Sequence, residues 1–190
     1  MLGNLTSVIN LYMEQNMFSE SIPLSLANCQ NLQLLNLSSN NLTGTMPKKL
    51  FTLSSLTISL SMSNNFLTGS LPSEVGDLVN LAELDVSGNK LSGTIPESPY
   101  SFKRLGIDVS SNNLSGKIPD FLGKFRALNH LNLSYNDFEG ELPTDGSFQM
   151  LVVTQFLEII GSVVASHNYF YLHACAESLI HLKEFLRQKK

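Results

Sequence analysis

The chain has 190 residues, 43% of them hydrophobic and 15% charged, with a formal net charge of −4 and two cysteines. It carries no basic patch and no interleaving of aromatic and basic residues, which argues against nucleic acid as a partner. Cys29 and Cys175 have no local partners, and no metal-binding cluster is present.

The N-terminus lacks the charged, apolar and small-residue regions of a signal peptide and already reads as a repeat from Leu2 onward. The chain therefore starts inside its repeat array. Six asparagines, Asn16, Asn40, Asn65, Asn89, Asn112 and Asn136, follow one another at intervals of 24, 25, 24, 23 and 24 residues. Four residues after each stands Gly, or Glu20 in the first unit, and an apolar residue and Pro complete the segment. A fixed period in the twenties marks a solenoid of stacked supersecondary units.

Within each unit apolar residues stand five and three positions before the asparagine: Leu11 and Met13, Leu35 and Leu37, Leu60 and Met62, Leu84 and Val86, Ile107 and Val109, Leu131 and Leu133. A spacing of two puts both on one face of a short strand. A further apolar position, eight before the asparagine, holds Val8, Leu32, Leu81 and Leu128 but Thr57 and Arg104 in the third and fifth units. There a one-residue slip hands the role to Leu56 and Leu105. A buried amide is costly unless bonded, so a column of asparagines is expected to bond backbone groups of neighbouring turns. After it, Gly44, Gly69, Gly93, Gly116 and Gly140 permit a positive-φ turn, and Pro23, Pro47, Pro72, Pro96, Pro119 and Pro143 fix φ on the next segment.

This pattern, L-x-x-L-x-L-x-x-N-x-L-x-G-x-I-P, resembles the plant-type leucine-rich repeat, and "LQLLNLSSNNLTGTMP" and "LAELDVSGNKLSGTIP" match it almost position for position. The stretch "LNHLNLSYNDFEGELPTDGSF" resembles the last repeat of the ectodomain of plant leucine-rich repeat receptor-like serine/threonine kinases, in particular the immune-receptor-type subfamily. The resemblance implies an α/β repeat solenoid: a curved right-handed arc with a concave parallel sheet, and a second short strand from each Gly-x-Ile-Pro segment. It places the chain in the C-terminal part of such an ectodomain, at the plasma membrane or cell surface. Two units are expected over residues 1–148 and 149–190: six repeats, then a non-repeat tail. Receptors of this kind carry Cys-pair caps, which this sequence lacks; Cys29 fills a slot where other units hold Leu5, Leu78 and Phe125, and reads as a buried thiol in an apolar role.

The fifth unit is degenerate: "ESPYSFKRLG" puts Ser98 and Ser101 at core positions and adds Pro99, so Phe102 and Leu105 are expected to turn inward beside an irregular convex loop. In the tail, Leu172, Cys175 or Ala176, Leu179, Leu182 and Leu186 recur at helical spacing with basic residues in the last turn, as in an amphipathic helix. Residues 150–165 fit helix or strand. A membrane span over 148–165 is the alternative, but Gln149, Gln155 and Glu158 interrupt it, and an acid near the centre of a span costs about 2.5–3.5 kcal/mol. The tail reads either as an improvised cap on the last repeat or as sequence never selected to fold.

On the concave strands the position four before each asparagine gives an outward column of Tyr12, Asn36, Ser61, Asp85, Asp108 and Asn132. Glu83, Asp85 and Asp108, with His130, form an acidic patch that is either a solvated face or a seat for a basic residue of a partner. Asp85 and Asp108 should stand roughly 5 Å apart in neighbouring strands, a separation that also suits retaining glycoside hydrolysis, although nothing supplies a pocket. Ser38, Ser63, Ser87, Ser110 and Ser134, with Ser39 and Ser111, read as a bland surface, since binding hot spots favour Trp, Tyr and Arg. Tyr12 and Tyr135 are the aromatic candidates and lie at opposite ends. Five Asn-x-Ser/Thr sequons occur, at Asn4, Asn36, Asn41, Asn113 and Asn132. Asn41 and Asn113, next to ladder asparagines, should be exposed and are the expected glycan acceptors.

No phosphate loop, catalytic Asp motif or cofactor site is present, and His167, His173 and His181 lack metal spacing. The kinase of the resembled family is absent from the sequence. The expectation is therefore a recognition scaffold whose partner is a protein or peptide ligand or another leucine-rich repeat co-receptor. A secreted inhibitor-like binding protein and a truncated nonfunctional gene copy are the alternatives.

Overall fold

The computed structural model describes residues 7–97, 105–124 and 128–140. The start of the chain, the degenerate loop with Ser98 to Arg104, Phe125, and everything from residue 141 onward lie outside them, together with the expectations placed there: the tail helix, the membrane-span alternative, Cys175 and the sequon at Asn4.

Each unit contributes one strand to a six-stranded parallel sheet and a second strand to an opposite parallel face. Strands β1 (Asn10–Tyr12), β3 (Leu34–Asn36), β5 (Ser59–Ser61), β7 (Glu83–Asp85), β9 (Leu105–Asp108) and β11 (Leu128–Asn132) form a six-stranded sheet in that order. The register stacks Leu11, Leu35, Leu60, Leu84, Ile107 and Leu131 directly beside one another. Four members of this column, Leu35, Leu60, Leu84 and Leu131, are buried, as the period predicts. Strands β2 (Ser19–Ser21), β4 (Asn41–Thr43), β6 (Thr68–Gly69), β8 (Lys90–Gly93), β10 (Asn113–Lys117) and β12 (Asp137–Glu139) make the second face, paired β2 with β4 and β6 through β12, with a Thr45–Thr68 bridge joining the two groups. The apolar core lies between these faces, closed by Leu42, Leu67, Leu91, Leu114 and Phe138, each two residues after a ladder asparagine.

The helical element of the repeat is a 3-10 turn, seen at Leu24–Asn28, Lys48–Thr52, Ser73–Asp77 and Asp120–Lys124. Proline sets it up. Pro23, Pro47 and Pro72 sit at φ −65, −68 and −65°, and the carbonyls of Pro23, Pro47, Pro72 and Pro119 accept the first turn bond from Leu26, Leu50, Val75 and Leu122 at 2.9–3.1 Å. Those four side chains enter the core. Cys29, at the end of the first turn, is 1% exposed and free, in the apolar role expected of it. The slip in the third unit is resolved as expected, with Leu56 buried and Thr57 half-buried.

The asparagines form the predicted ladder, and it has a direction. The Asn65 amide donates to Leu37 O of the preceding unit at 3.0 Å and to Met62 O and Ser63 O of its own at 3.1 Å, while its oxygen accepts from the Leu42 N–H at 2.9 Å. Asn40, Asn89, Asn112 and Asn136 repeat this pattern, each gripping the unit before it. Asn16 is exposed and, among the described residues, bonds only Met13 O and Glu14 O in its own turn. Every expected glycine takes a positive φ, between 75 and 86°, and a second reason for glycine appears at Gly116, where an added Cβ would lie 2.9 Å from Thr94 Cγ2 of the preceding unit. Glu20, the exception, adopts the same conformation at φ 70° despite its side chain.

Candidate functional site

The outward column of the larger sheet is held by its own chemistry. Asp85 Oδ1 accepts the Ser87 N–H at 3.0 Å and hydroxyl at 2.7 Å, and Asp108 Oδ1 accepts the Ser110 N–H at 2.9 Å and hydroxyl at 2.7 Å. Asn36 with Ser38, and Asn132 with Ser134, make the same strand-end turn. Of the serines read as a bland surface, Ser63 and Ser110 are buried, with hydroxyls bonded to Ser61 and Asp108. Such local bonds are what Asx and Ser side chains do when they cap an extended segment. The residues just before the asparagines, Gln15, Ser39, Asn64, Gly88, Ser111 and Tyr135, all take φ between 54 and 62°, a periodic left-handed bend that their mixed identities do not announce.

The structure brings four of the six predicted site residues together. Glu83, Gly106 and His130 stand in one register row, and Asp85, Asp108 and Asn132 in the next. Glu83, Asp85, Gly106, Asp108 and His130 line an open depression of about 380 Å³ with Ile58, Ala82 and Leu84. Sequence reasoning missed Gly106 and Ile58. Gly106 removes the side chain that would otherwise fill the row between Glu83 and His130, and Ile58, 44% exposed, supplies an apolar wall. The signal was available as a glycine in an outward strand position, which marks close approach of another group or an opening.

Asp85 and Asp108 are direct register partners, so the expected juxtaposition holds. Their outer oxygens are engaged from either side: Ser61 Oγ approaches Asp85 Oδ2 at 3.4 Å, and Asn132 Nδ2 donates to Asp108 Oδ2 at 3.1 Å. His130 Nε2 stands 3.8 Å from Asp108 Oδ2, half exposed. Both carboxylates are thus held in place as acceptors, and the arrangement supplies preorganised negative charge. Among the described residues no group of His, Cys, Asp and Glu is placed to hold a metal ion. Tyr12 and Tyr135, 60% and 50% exposed, stay apart from the depression on β1 and in the last described unit. Asn41 and Asn113 are exposed, as expected. No helix among the described residues is long and apolar enough to cross a membrane.

The leucine-rich repeat family model matches residues 31–53, 57–78, 80–102, 106–125 and 127–147. Phytosulfokine receptor 1 of Arabidopsis thaliana is 45% identical over 49 residues, 26% of this chain and 5% of that protein. The Arabidopsis receptor kinase HAESA, solved in complex with the peptide hormone IDA and the co-receptor SERK1, superposes with a TM-score of 0.72 at 37% identity, over 79% of this chain and 25% of that one. The Arabidopsis thaliana BIR3–SERK2 complex gives a TM-score of 0.59 at 31% identity, over 72% of each chain. The chain therefore spans a quarter or less of the large receptors that it matches. It belongs to the leucine-rich repeat family, and plant receptor kinase ectodomains are its relatives.

Proposed function

We propose that this chain is a recognition scaffold of the plant receptor ectodomain type, and that the depression around Gly106 receives a basic side chain of a protein or peptide ligand. The observation that carries the reading is the convergence of Glu83, Asp85 and Asp108 on a hollow that a glycine leaves open. Carboxylates already oriented by Ser87 and Ser110 meet a guanidinium or ammonium without reorganising, and such charge-assisted contacts are the stronger class of hydrogen bond. Ile58 gives the aliphatic stem of that side chain an apolar surface. The solved HAESA complex holds a peptide hormone and a co-receptor, and BIR3 is solved in complex with SERK2, which supports a peptide or a second leucine-rich repeat protein as partner. The subfamily of the immune-receptor type, a position in the C-terminal part of the ectodomain, placement at the cell surface, and a non-repeat helical tail over 149–190 complete the proposal.

The test is selection of peptides from a random displayed library on the immobilised chain, in parallel with Glu83→Gln and Asp108→Asn. Enrichment of a single Arg or Lys position on the parent chain, lost on both variants, is the expected result. Enrichment without basic residues, or unchanged on the variants, would refute the site. Asp108→Asn keeps an acceptor for Ser110, so its loss of binding reports charge rather than folding.

A further inference from the structure

The glycine at the bottom of the depression is not required by the fold. Gly44, Gly69, Gly93, Gly116 and Gly140 all hold positive φ, whereas Gly106 is not among the positive-φ residues and lies inside β9, donating to Ala82 O at 2.8 Å. Close packing does not require it either. A Cβ at Gly106 would meet His130 Cβ at 3.6 Å and Ala82 O at 3.8 Å, ordinary van der Waals separations. The corresponding position of the other units holds Asn10, Leu34, Ser59, Glu83 and His130, so a side chain is the rule there. A glycine inside a strand weakens it and marks a place where another group comes close to the backbone. Gly106 is itself buried, a recessed floor between the strands of Glu83 and His130.

What surrounds the gap defines the group that fits it. Glu83 is the register partner of Gly106, about 4.7–4.9 Å across the sheet, and Asp108 is two residues ahead on the same strand, about 6.6 Å away. The two directions are at right angles within the plane of the sheet, and Asp85, the partner of Asp108, stands at the corner between them. Their acceptor capacities differ. A carboxylate has about four acceptor positions; Asp85 takes two bonds from Ser87 and one from Ser61, and Asp108 takes two from Ser110 and one from Asn132. Each therefore keeps about one position. Among the described residues the side chain of Glu83 makes no hydrogen bond or ion pair, so both of its oxygens are available. The matching donor pairs twice with Glu83 and sends single bonds round the corner to the aspartates.

We infer that the depression selects arginine over lysine, and that Gly106 sets this preference by leaving a floor over which a planar guanidinium lies parallel to the sheet. A guanidinium carries five N–H donors fanned in one rigid plane and pairs with a carboxylate through two parallel bonds. Its edge facing Glu83 makes that pair, and its remaining donors point along the sheet to Asp108 and Asp85. An ammonium has three donors that diverge out of any plane, and it is the more strongly hydrated ion, so it loses more on entering the recess and engages fewer of these acceptors. A side chain at position 106 would stand where the guanidinium plane must lie. The inference rests on the proposal that the depression takes a basic side chain, and narrows that proposal to one functional group.

Two displayed peptide libraries, one without lysine and one without arginine, are selected in parallel on the full chain, on Glu83→Gln, and on Gly106→Ala and Gly106→Val. The arginine library should enrich on the parent, fail on Glu83→Gln, and weaken progressively from Gly106→Ala to Gly106→Val. When the enriched Arg is replaced by Lys, or by the neutral isostere citrulline, the peptide should bind the parent about tenfold or more weakly by calorimetry. Gly106→Ala should melt no lower than the parent, since its Cβ fits the space, so its loss of binding reports the filled floor and not a lost fold. Equal, Glu83-dependent enrichment of both libraries, or equal affinity of the Arg and Lys peptides, would overturn this inference while leaving the basic-ligand reading intact. Undiminished binding of the Arg peptide to Gly106→Val would overturn it as well. Enrichment of neither library, or enrichment indifferent to Glu83, would overturn both.

Discussion

Asn65→Ala is the sharpest perturbation of the fold. Asn65 is 5% exposed and makes four recorded bonds, two of them to the preceding unit. Its acceptors are not left equally bare: Leu37 O keeps Asn40, Met62 O keeps Asn89, and Ser63 O keeps the Ser39 N–H. The Leu42 N–H has no other partner among the described residues and belongs to a residue that is itself buried. An orphaned buried donor costs about 1–3 kcal/mol, and each net hydrogen bond lost adds about 1. The expected loss is therefore about 2–4 kcal/mol, against less than about 1 kcal/mol for Asn16→Ala, whose exposed amide bonds only its own turn among the described residues. Urea unfolding followed by far-ultraviolet circular dichroism measures both. Equal losses would refute the claim that the ladder's stabilisation comes from gripping the preceding unit.

Glu20→Gly should stabilise the chain by about 0.5–1 kcal/mol, since Glu20 holds φ 70° and a non-glycine residue in the left-handed region is penalised by roughly 1–2 kcal/mol. Gly116→Ala should destabilise, because it combines φ 77° with a 2.9 Å approach to Thr94; thermal melts of the two variants should move in opposite directions. In a Cys175→Ser background, Cys29, 1% exposed, should resist an aromatic disulfide reagent until denaturant unfolds the chain. Rapid labelling in native buffer would contradict its burial.

The sequence made the solenoid legible because three independent constraints share one period: inward apolar pairs, the asparagine, and the Gly-x-x-Pro turn. Leu56 was recoverable as the slipped core residue, since a buried slot rejects Thr57 in favour of its neighbour. The Asp85–Ser87 and Asp108–Ser110 turns were not recoverable from periodicity, because outward polar residues look alike until their hydrogen bonds are seen. The left-handed bend before each asparagine was hidden for the opposite reason. Its backbone is uniform while its residues run from Gly88 to Tyr135. The depression was half legible: the acids stood out as a patch, whereas the hollow depends on Gly106, which contributes by having no side chain.

A reciprocal charge exchange addresses recognition most directly. Once a basic peptide has been selected on the parent chain, its Arg or Lys is replaced by Glu and both peptides are titrated calorimetrically against the parent and against Glu83→Lys. Glu83 is exposed and among the described residues its side chain makes no hydrogen bond or ion pair, so reversing it leaves the turns of Asp85 and Asp108 intact. The account predicts at least about tenfold weaker binding for each single change and recovery when the two are combined, the signature of direct coupling. Independent, additive losses, or no loss at all, would show that the ligand's charge does not sit in the depression.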